Sequence, residues 1–250
     1  NQVSLGFLDI VDGRVVLDGN ELLADTIAVD VADDGQLELR DALDDAVRQE
    51  SIKSLAGSGE IYLGRNTLNV ENGGSFEGEF FGTGSVNVEN GSFTINNSLT
   101  SSDGSLMVSN AGGTTVSQGT TVSVNSVQVM DGALMNVAGT GIGPTEISRV
   151  TTNDMIVQTN ATLHMGTGSY SPDAETFSVI EADSILINGQ FAGNGTMVAP
   201  VINVTAAASA PRANITPGDS PGVQMFMGGQ TTFGSNSTLE IEVVDRTLGA

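Results

Sequence analysis

The sequence has 250 residues, with 8 Lys and Arg against 30 Asp and Glu, a formal net charge of −22. That balance argues against a nucleic-acid partner, which needs clustered basic side chains to meet phosphates, and against binding to an anionic membrane surface; no basic residue lies between Arg65 and Arg149. The absence of cysteine rules out a disulfide framework and thiolate chemistry, and no apolar run reaches the ~18 residues of a transmembrane helix, so any membrane anchor is expected outside these residues.

The chain begins at Asn1 with no visible signal peptide and reads as processed or as a fragment. Its first 50 residues hold 13 acids and 3 bases, a net of −10. Within them Val15-Val16-Leu17 and Thr26-Ile27-Ala28-Val29 read as strands around an Asp18-Gly19 turn. Leu39, Leu43, Ala46 and Val47 have helical spacing, so a short helix is predicted over residues 37–47. This acidic segment is expected to cap one end of a larger β structure or to mediate assembly.

From residue 51 to 250 the texture is a series of short alternating runs broken by Gly, Asn or Asp. Among them are Glu60-Ile61-Tyr62-Leu63, Leu68-Asn69-Val70, Val86-Asn87-Val88, Phe93-Thr94-Ile95, Leu106-Met107-Val108, Ile185-Leu186-Ile187 and Val201-Ile202-Asn203-Val204. Ala206-Ala207-Ala208-Ser209-Ala210-Pro211 interrupts the series as a loop. A sandwich or barrel also gives regular short strands. Scarce aromatics (4 %), recurrent Asn beside strands and loosely similar units favour a solenoid, in which stacked coils align side-chain amides and each coil hides its inward side chains against its neighbours.

Three stretches resemble a known family. Ile52-Lys53-Ser54-Leu55-Ala56-Gly57-Ser58-Gly59-Glu60-Ile61-Tyr62-Leu63-Gly64-Arg65-Asn66-Thr67-Leu68-Asn69-Val70 resembles the I-x-S-L-x-G-x-G-x-x-x-L-G-x-N-T-L-x-V run of autotransporter-associated β-strand repeats. Ser75 to Gly84 is similar to the F-x-G-x-I-x-G-T-G that follows it, and residues 215–222 carry the P-G-x-S-P-G turn of late passenger regions, ahead of Ser237-Thr238-Leu239-Glu240-Ile241-Glu242-Val243. The resemblance implies an all-β fold, a right-handed parallel β-helix, in an autotransporter passenger domain. Such a chain is exported by a type V route and exposed on a Gram-negative cell surface, where it serves in adhesion, self-aggregation or display. Residues 1–50 depart from the family pattern, and nothing carries over to them.

Candidate chemistry is sparse. Gly218-Asp219-Ser220 looks like the nucleophile block of Gly-Asp-Ser-Leu esterases, but no His follows His164 and Pro221 replaces the Leu, so a Pro-Gly turn is the expected role. His164 has no second His or Cys for a transition-metal site. Asp30-Val31-Ala32-Asp33-Asp34-Gly35 partly resembles an EF-hand loop. Ala32 fails one ligand position and Asp41 stands where a bidentate Glu belongs, so Asp30, Asp34 and Asp41 are the candidate Ca²⁺ ligands, and no other cofactor is expected. Asp173 with Glu175, and Glu181 with Asp183, are i, i+2 pairs that can share a strand face.

These readings lead to an extracellular, cell-surface structural or adhesive β-helix without catalytic residues. Its expected partners are identical molecules or host and surface glycans and proteins, with a homo-oligomer among the possibilities. The alternatives are a self-assembling sheath or filament subunit, and a polysaccharide lyase or hydrolase built on a β-helix.

Overall fold

The computed structural model describes residues 6–40, 46–139, 147–166, 178–217 and 224–241. They form 22 strands and, among the described residues, no helix. The chain opens with two long strands, β1 (Phe7–Leu17) and β2 (Ala28–Leu39). Short strands follow in threes: β3 (Gln49–Ile52), β4 (Ser54–Gly57) and β5 (Glu60–Tyr62), then β6 (Thr67–Val70), β7 (Gly73–Phe76) and β8 (Glu79–Phe81). After β9 (Ser85–Val88) and β10 (Ser92–Ile95), long strands that turn a corner alternate with short ones. These are β11 (Ser98–Val108), β12 (Gly113–Val116), β13 (Thr121–Val129), β14 (Leu134–Val137), β15 (Ser148–Val157), β16 (Thr162–Met165), β17 (Ser178–Ile187), β18 (Gln190–Gly193), β19 (Gly195–Val204), β20 (Ala213–Pro217), β21 (Gln224–Phe233) and β22 (Ser237–Leu239).

Every pairing is parallel and joins a strand to its counterpart one coil later. Three stacks result. The first face runs from the start of β1 through β2, β4, β7 and β10 to β22. The second runs from the end of β1 through the end of β2, β5, β8 and the first half of β11 to the first half of β21. The third runs from β3 through β6, β9 and the second half of β11 to the second half of β21. The chain is a parallel β-helix. The step between stacked partners varies from 17 residues (Ile180 to Met197) to 30 (Ser148 to Ser178).

The alternating pattern produces this architecture, because successive side chains point to opposite sides of a strand. Inward positions on the second face form a column of Leu37, Ile61, Phe80, Leu99, Val122, Val150, Ile180 and Met197, none more than 1 % exposed. The third face stacks Ile52, Val70, Val88, Val108, Val129, Val157, Ile187 and Val204 in the same way, all fully buried. Each such side chain is worth about 1.5–3 kcal/mol of burial, and none achieves it without the coils above and below. Phe76 and Phe80 meet edge to face inside, with ring centroids 4.9 Å apart.

The stretch from Ile52 to Val70 lays down one coil, and its pattern residues are structural. Leu55, Ile61, Leu63 and Leu68 are core. Gly57 has φ of +108°, and a Cβ there would lie 2.1 Å from the Val31 carbonyl oxygen, so only glycine lets the coils approach. Asn66 is 2 % exposed and bridges coils: its Nδ2 donates to the Leu39 carbonyl at 3.0 Å, and its Oδ1 accepts from the Arg48 amide at 2.9 Å. The expected amide stacking is present as well. Asn87 Nδ2 donates to Asn69 Oδ1 at 3.3 Å, and Asn69 Nδ2 to Ser51 Oγ at 3.2 Å.

The helix expected over residues 37–47 is corrected where the structure describes it. Leu37–Leu39 ends β2, while residues 41–45 lie outside the described residues. Val29, Val31, Leu37 and Leu39 are all buried in a two-residue alternation within a strand, and pairing along two coils outweighs an isolated helical spacing. In the acidic segment, β1 pairs with β2, and β2 pairs with β4 and β5, so the ladder runs unbroken past residue 50.

Candidate functional site

The second face turns an unusual set of side chains outward near the start of the solenoid. Along β5, Glu60 and Tyr62 are exposed on either side of buried Ile61; along β8, Glu79 and Phe81 flank buried Phe80. The register stacks Glu60 on Glu79 and Tyr62 on Phe81, at the ~4.8 Å spacing of paired strands. An aromatic pair therefore lies two residues along from a carboxylate pair on the same face. Tyr62 is 41 % exposed.

The preceding coil extends this surface. Gln36 pairs with Glu60 in the ladder, and its Nε2 donates to Glu60 Oε2 at 2.9 Å. Arg14, Asp33, Asp34, Gln36 and Glu60 line an open cleft of about 490 Å³ at the corner between the first two faces. The nearby cations are engaged elsewhere. Arg14 Nη1 lies 2.8 Å from Glu38 Oε2, Arg40 reaches Glu38 and Asp18, and Arg48 Nη1 donates to Asp18 Oδ1 at 2.9 Å. Among the described residues neither Glu60 nor Glu79 has an ion-pair partner. Like charges directly opposite in a ladder repel, so the Glu60–Glu79 pair adds nothing to stability by itself.

A second polar surface lies on the third face, where Gln49, Thr67, Asn69, Ser85, Asn87 and Ser105 line a groove of about 270 Å³. Its ladder hydrogen bonds are largely internal, as with Asn87 to Asn69 and Ser105 Oγ to Ser85 Oγ at 3.1 Å. At its start Glu50, 2 % exposed, occupies the rung before Leu68. Its carboxylate accepts from the Leu22 amide at 2.9 Å and the Leu23 amide at 2.6 Å, fastening the segment between β1 and β2 onto β3. Burial pushes the Glu50 pKa above the usual glutamate range. The two amide bonds pull it down, and Glu21 and Asp25 push it further up. The Glu71 pKa is also raised, first by burial and then by Asp25, Glu89 and Glu21.

The residues singled out from sequence are not brought together. Asp30 and Asp34 both lie within β2, in extended strand rather than a loop entering a helix, with Asp30 stacked between Asp9 and Ala56 and Asp34 on the cleft. Asp41 lies outside the described residues, and among those described no group of three or more His, Asp and Glu side chains can hold a metal ion. His164 faces outward on the first face, stacked between Asn136 and Ala192. Glu181 is ion-paired with Arg149, and Asp183 is exposed at the corner of β17. Asp173, Glu175 and the turn at 218–222 fall outside the described residues.

The face carrying Glu60, Tyr62, Glu79 and Phe81 was missed because adjacency across coils depends on coil length. A signal was present: Leu55, Gly74 and Phe93, Ile61, Phe80 and Leu99, and Glu60, Glu79 and Ser98 each recur at a spacing of 19 and stack. No family model matches the sequence, and no curated protein or solved structure matches it. The likeness to autotransporter repeats therefore rests on the motifs between residues 52 and 84 and between 215 and 243.

Proposed function

We propose that the chain is part of an extracellular, cell-surface β-helix of the autotransporter passenger type that attaches cells to glycan-bearing surfaces, and that the outer face of β5 and β8 makes the contact. The observation that carries this reading is the stacked Tyr62–Phe81 pair beside the stacked Glu60–Glu79 pair. Aromatic faces pack against the C–H faces of sugar rings, while carboxylates and the Gln36 amide meet hydroxyl groups. The adjoining cleft adds a concave surface. Export is supported by the repeat motifs and by a chain without cysteine.

Charge narrows the partner. With Asp33, Asp34, Glu60 and Glu79 on one surface and Arg14 held by Glu38, a polyuronate meets like charge, whereas an amino-sugar polymer meets carboxylates and aromatic faces that favour a cation. Retention of beads coated with the purified chain on immobilised polysaccharides tests this. Retention is expected on amino-sugar polymers, weaker retention on neutral glycans and none on polyuronates, with loss in Tyr62→Ala/Phe81→Ala. Equal retention of the double variant, or a preference for polyuronates, overturns the assignment.

A further inference from the structure

The turn between β9 and β10 is held on both sides and left free in the middle. The Glu89 amide donates to the Val70 carbonyl at 3.1 Å, and the Gly91 carbonyl accepts from the Gly113 amide at 2.7 Å. Between these anchors, among the described residues, neither the Asn90 carboxamide nor the Gly91 amide has a hydrogen-bond partner. Both residues are exposed. Gly91 has φ of +70°, and a Cβ there would lie 2.5 Å from the Asn72 carbonyl oxygen, so the crossing of one coil over the one before it requires glycine. The fold therefore holds an Asn-Gly pair in water, with no side chain on the glycine to shield its nitrogen.

We propose that Asn90 is a site of spontaneous covalent modification, in which its side chain cyclises onto the Gly91 nitrogen and reopens as isoaspartate. The Gly91 nitrogen, its proton taken by hydroxide, attacks Asn90 Cγ. A five-membered succinimide forms, and the side-chain nitrogen leaves as ammonia. Water then adds to one of the two ring carbonyls and breaks its bond to the Gly91 nitrogen. Breaking the bond at Cγ restores the ordinary main chain with an aspartate. Breaking the bond at the Asn90 carbonyl carbon leaves isoaspartate, whose main chain runs through Cβ and is one atom longer. Water is the only co-reactant, and nothing is oxidised or reduced.

The sequence holds four Asn-Gly pairs, at Asn72, Asn90, Asn188 and Asn194, and the structure sets Asn90 apart. Asn194 is 2 % exposed, with its own amide bound to the Met165 carbonyl at 2.6 Å. Gly189 is buried beside a half-buried Asn188, and Gly73 is buried at the start of β7. Ring closure swings the side chain over the following nitrogen, so these three pairs wait for local opening. The position of the turn gives the change its consequence. An extra main-chain atom enters where Gly91 has no room for one more carbon against Asn72, which loosens the hold of the Gly91 carbonyl on the Gly113 amide. The new carboxylate also lands beside Glu89, which follows Val88 as Glu71 follows its rung partner Val70, and adds like charge to that column.

The test ages the folded 250-residue chain at mildly alkaline pH, digests it with pepsin in acid, which halts the reaction, and reads the peptides by mass spectrometry with electron-based fragmentation to separate isoaspartate from aspartate. Asn90 is expected to convert first, at least about tenfold faster than Asn194, which reacts only through opening. Conversion of Asn72, Asn188 or Asn194 as fast as that of Asn90 overturns the assignment. Hydrogen exchange at the Gly113 amide reads the consequence. Protection there is expected to fall about tenfold in the converted chain, the loss of one backbone hydrogen bond. It is expected to stay unchanged in aged Asn90→Gln and in fresh Asn90→Asp, which carries the charge on a main chain of ordinary length. Unchanged protection in the converted chain, or an equal loss in Asn90→Asp, overturns the loosening by the lengthened turn.

Discussion

Asn66→Ala removes the amide that ties two successive coils together. Its Nδ2 satisfies the Leu39 carbonyl at 3.0 Å and its Oδ1 the Arg48 amide at 2.9 Å, at a site 2 % exposed. Truncation leaves a buried acceptor and a donor without partners, each costing about 1–3 kcal/mol, so the sum expected for the pair is about 2–6 kcal/mol. Solenoids open locally, since each coil touches only its neighbours, so the readout is native-state hydrogen exchange at the Arg48 and Thr67 amides. The Thr67 amide donates to the Arg48 carbonyl at 2.9 Å and reports on the same junction. A cost of about 2–6 kcal/mol lowers protection there by roughly 30- to 20,000-fold. Asn20→Ala is the control. It removes an exposed acceptor of the Gln49 amide at 2.8 Å, which water replaces, and is expected to change protection by less than about 0.5 kcal/mol. Equal effects of the two substitutions refute the reasoning that Asn66 is the buried fastener of the repeat.

Phe80→Ala opens a hole in the second-face column and is expected to cost about 3–5 kcal/mol in urea denaturation; a loss below about 1 kcal/mol contradicts the packing described. Gly57→Ala sets a Cβ against the Val31 carbonyl at a left-handed φ, and loss of soluble folded protein or a cost above about 2 kcal/mol is expected, against a neutral result if the coils can spread. Because the folded pKa of Glu50 lies above its unfolded value, the stability it contributes is fully present below the ordinary glutamate value of 4.5 and is lost as pH rises through the folded pKa. Acidification from pH 7 toward 5 therefore stabilises the fold through this group. Unfolding midpoints should rise less steeply over that window in Glu50→Gln than in the wild type, and identical slopes remove Glu50 as the cause.

Much of the fold was legible because it is written in a two-residue alternation. Leu68-Asn69-Val70 and Val86-Asn87-Val88 each announce two inward and one outward side chain, and the structure stacks them in register, Asn on Asn. The repeat-like stretch from Ile52 to Val70 was readable for the same reason: its Leu, Ile, Gly and Asn positions are the needs of one coil. The region around Leu37–Leu39 misled because leucines two and four apart satisfy a strand and a helix alike, and only pairing to Val15–Leu17 on one side and Ile61 on the other decides between them. The candidate site was hidden for a different reason. Glu60 and Glu79 are 19 residues apart (79 − 60), yet neighbours elsewhere are separated by 17 to 30, so no local pattern says which outward residues meet. Glu50 carried no signal either. As the last acid of a charged segment it reads as solvated, and its burial follows from the strand that places it one rung before Leu68.

The glycan-facing surface exists only if the coils stack in this register, and the absence of native cysteine makes that register directly measurable. Ala56, Thr94, Asn136 and Ala192 are outward members of one first-face column; Thr94, Asn136 and Ala192 lie two, four and six rungs beyond Ala56, stacked through Ser75, Thr115 and His164. Spin labels on Ala56→Cys paired in turn with cysteines at Asn136 and Ala192, read by pulsed dipolar spectroscopy, should give distances that grow by roughly 5 Å per rung, about 20 Å and then about 30 Å between attachment points. Distances that fail to increase in that order would contradict the stacked parallel coil, and with it the surface built on it.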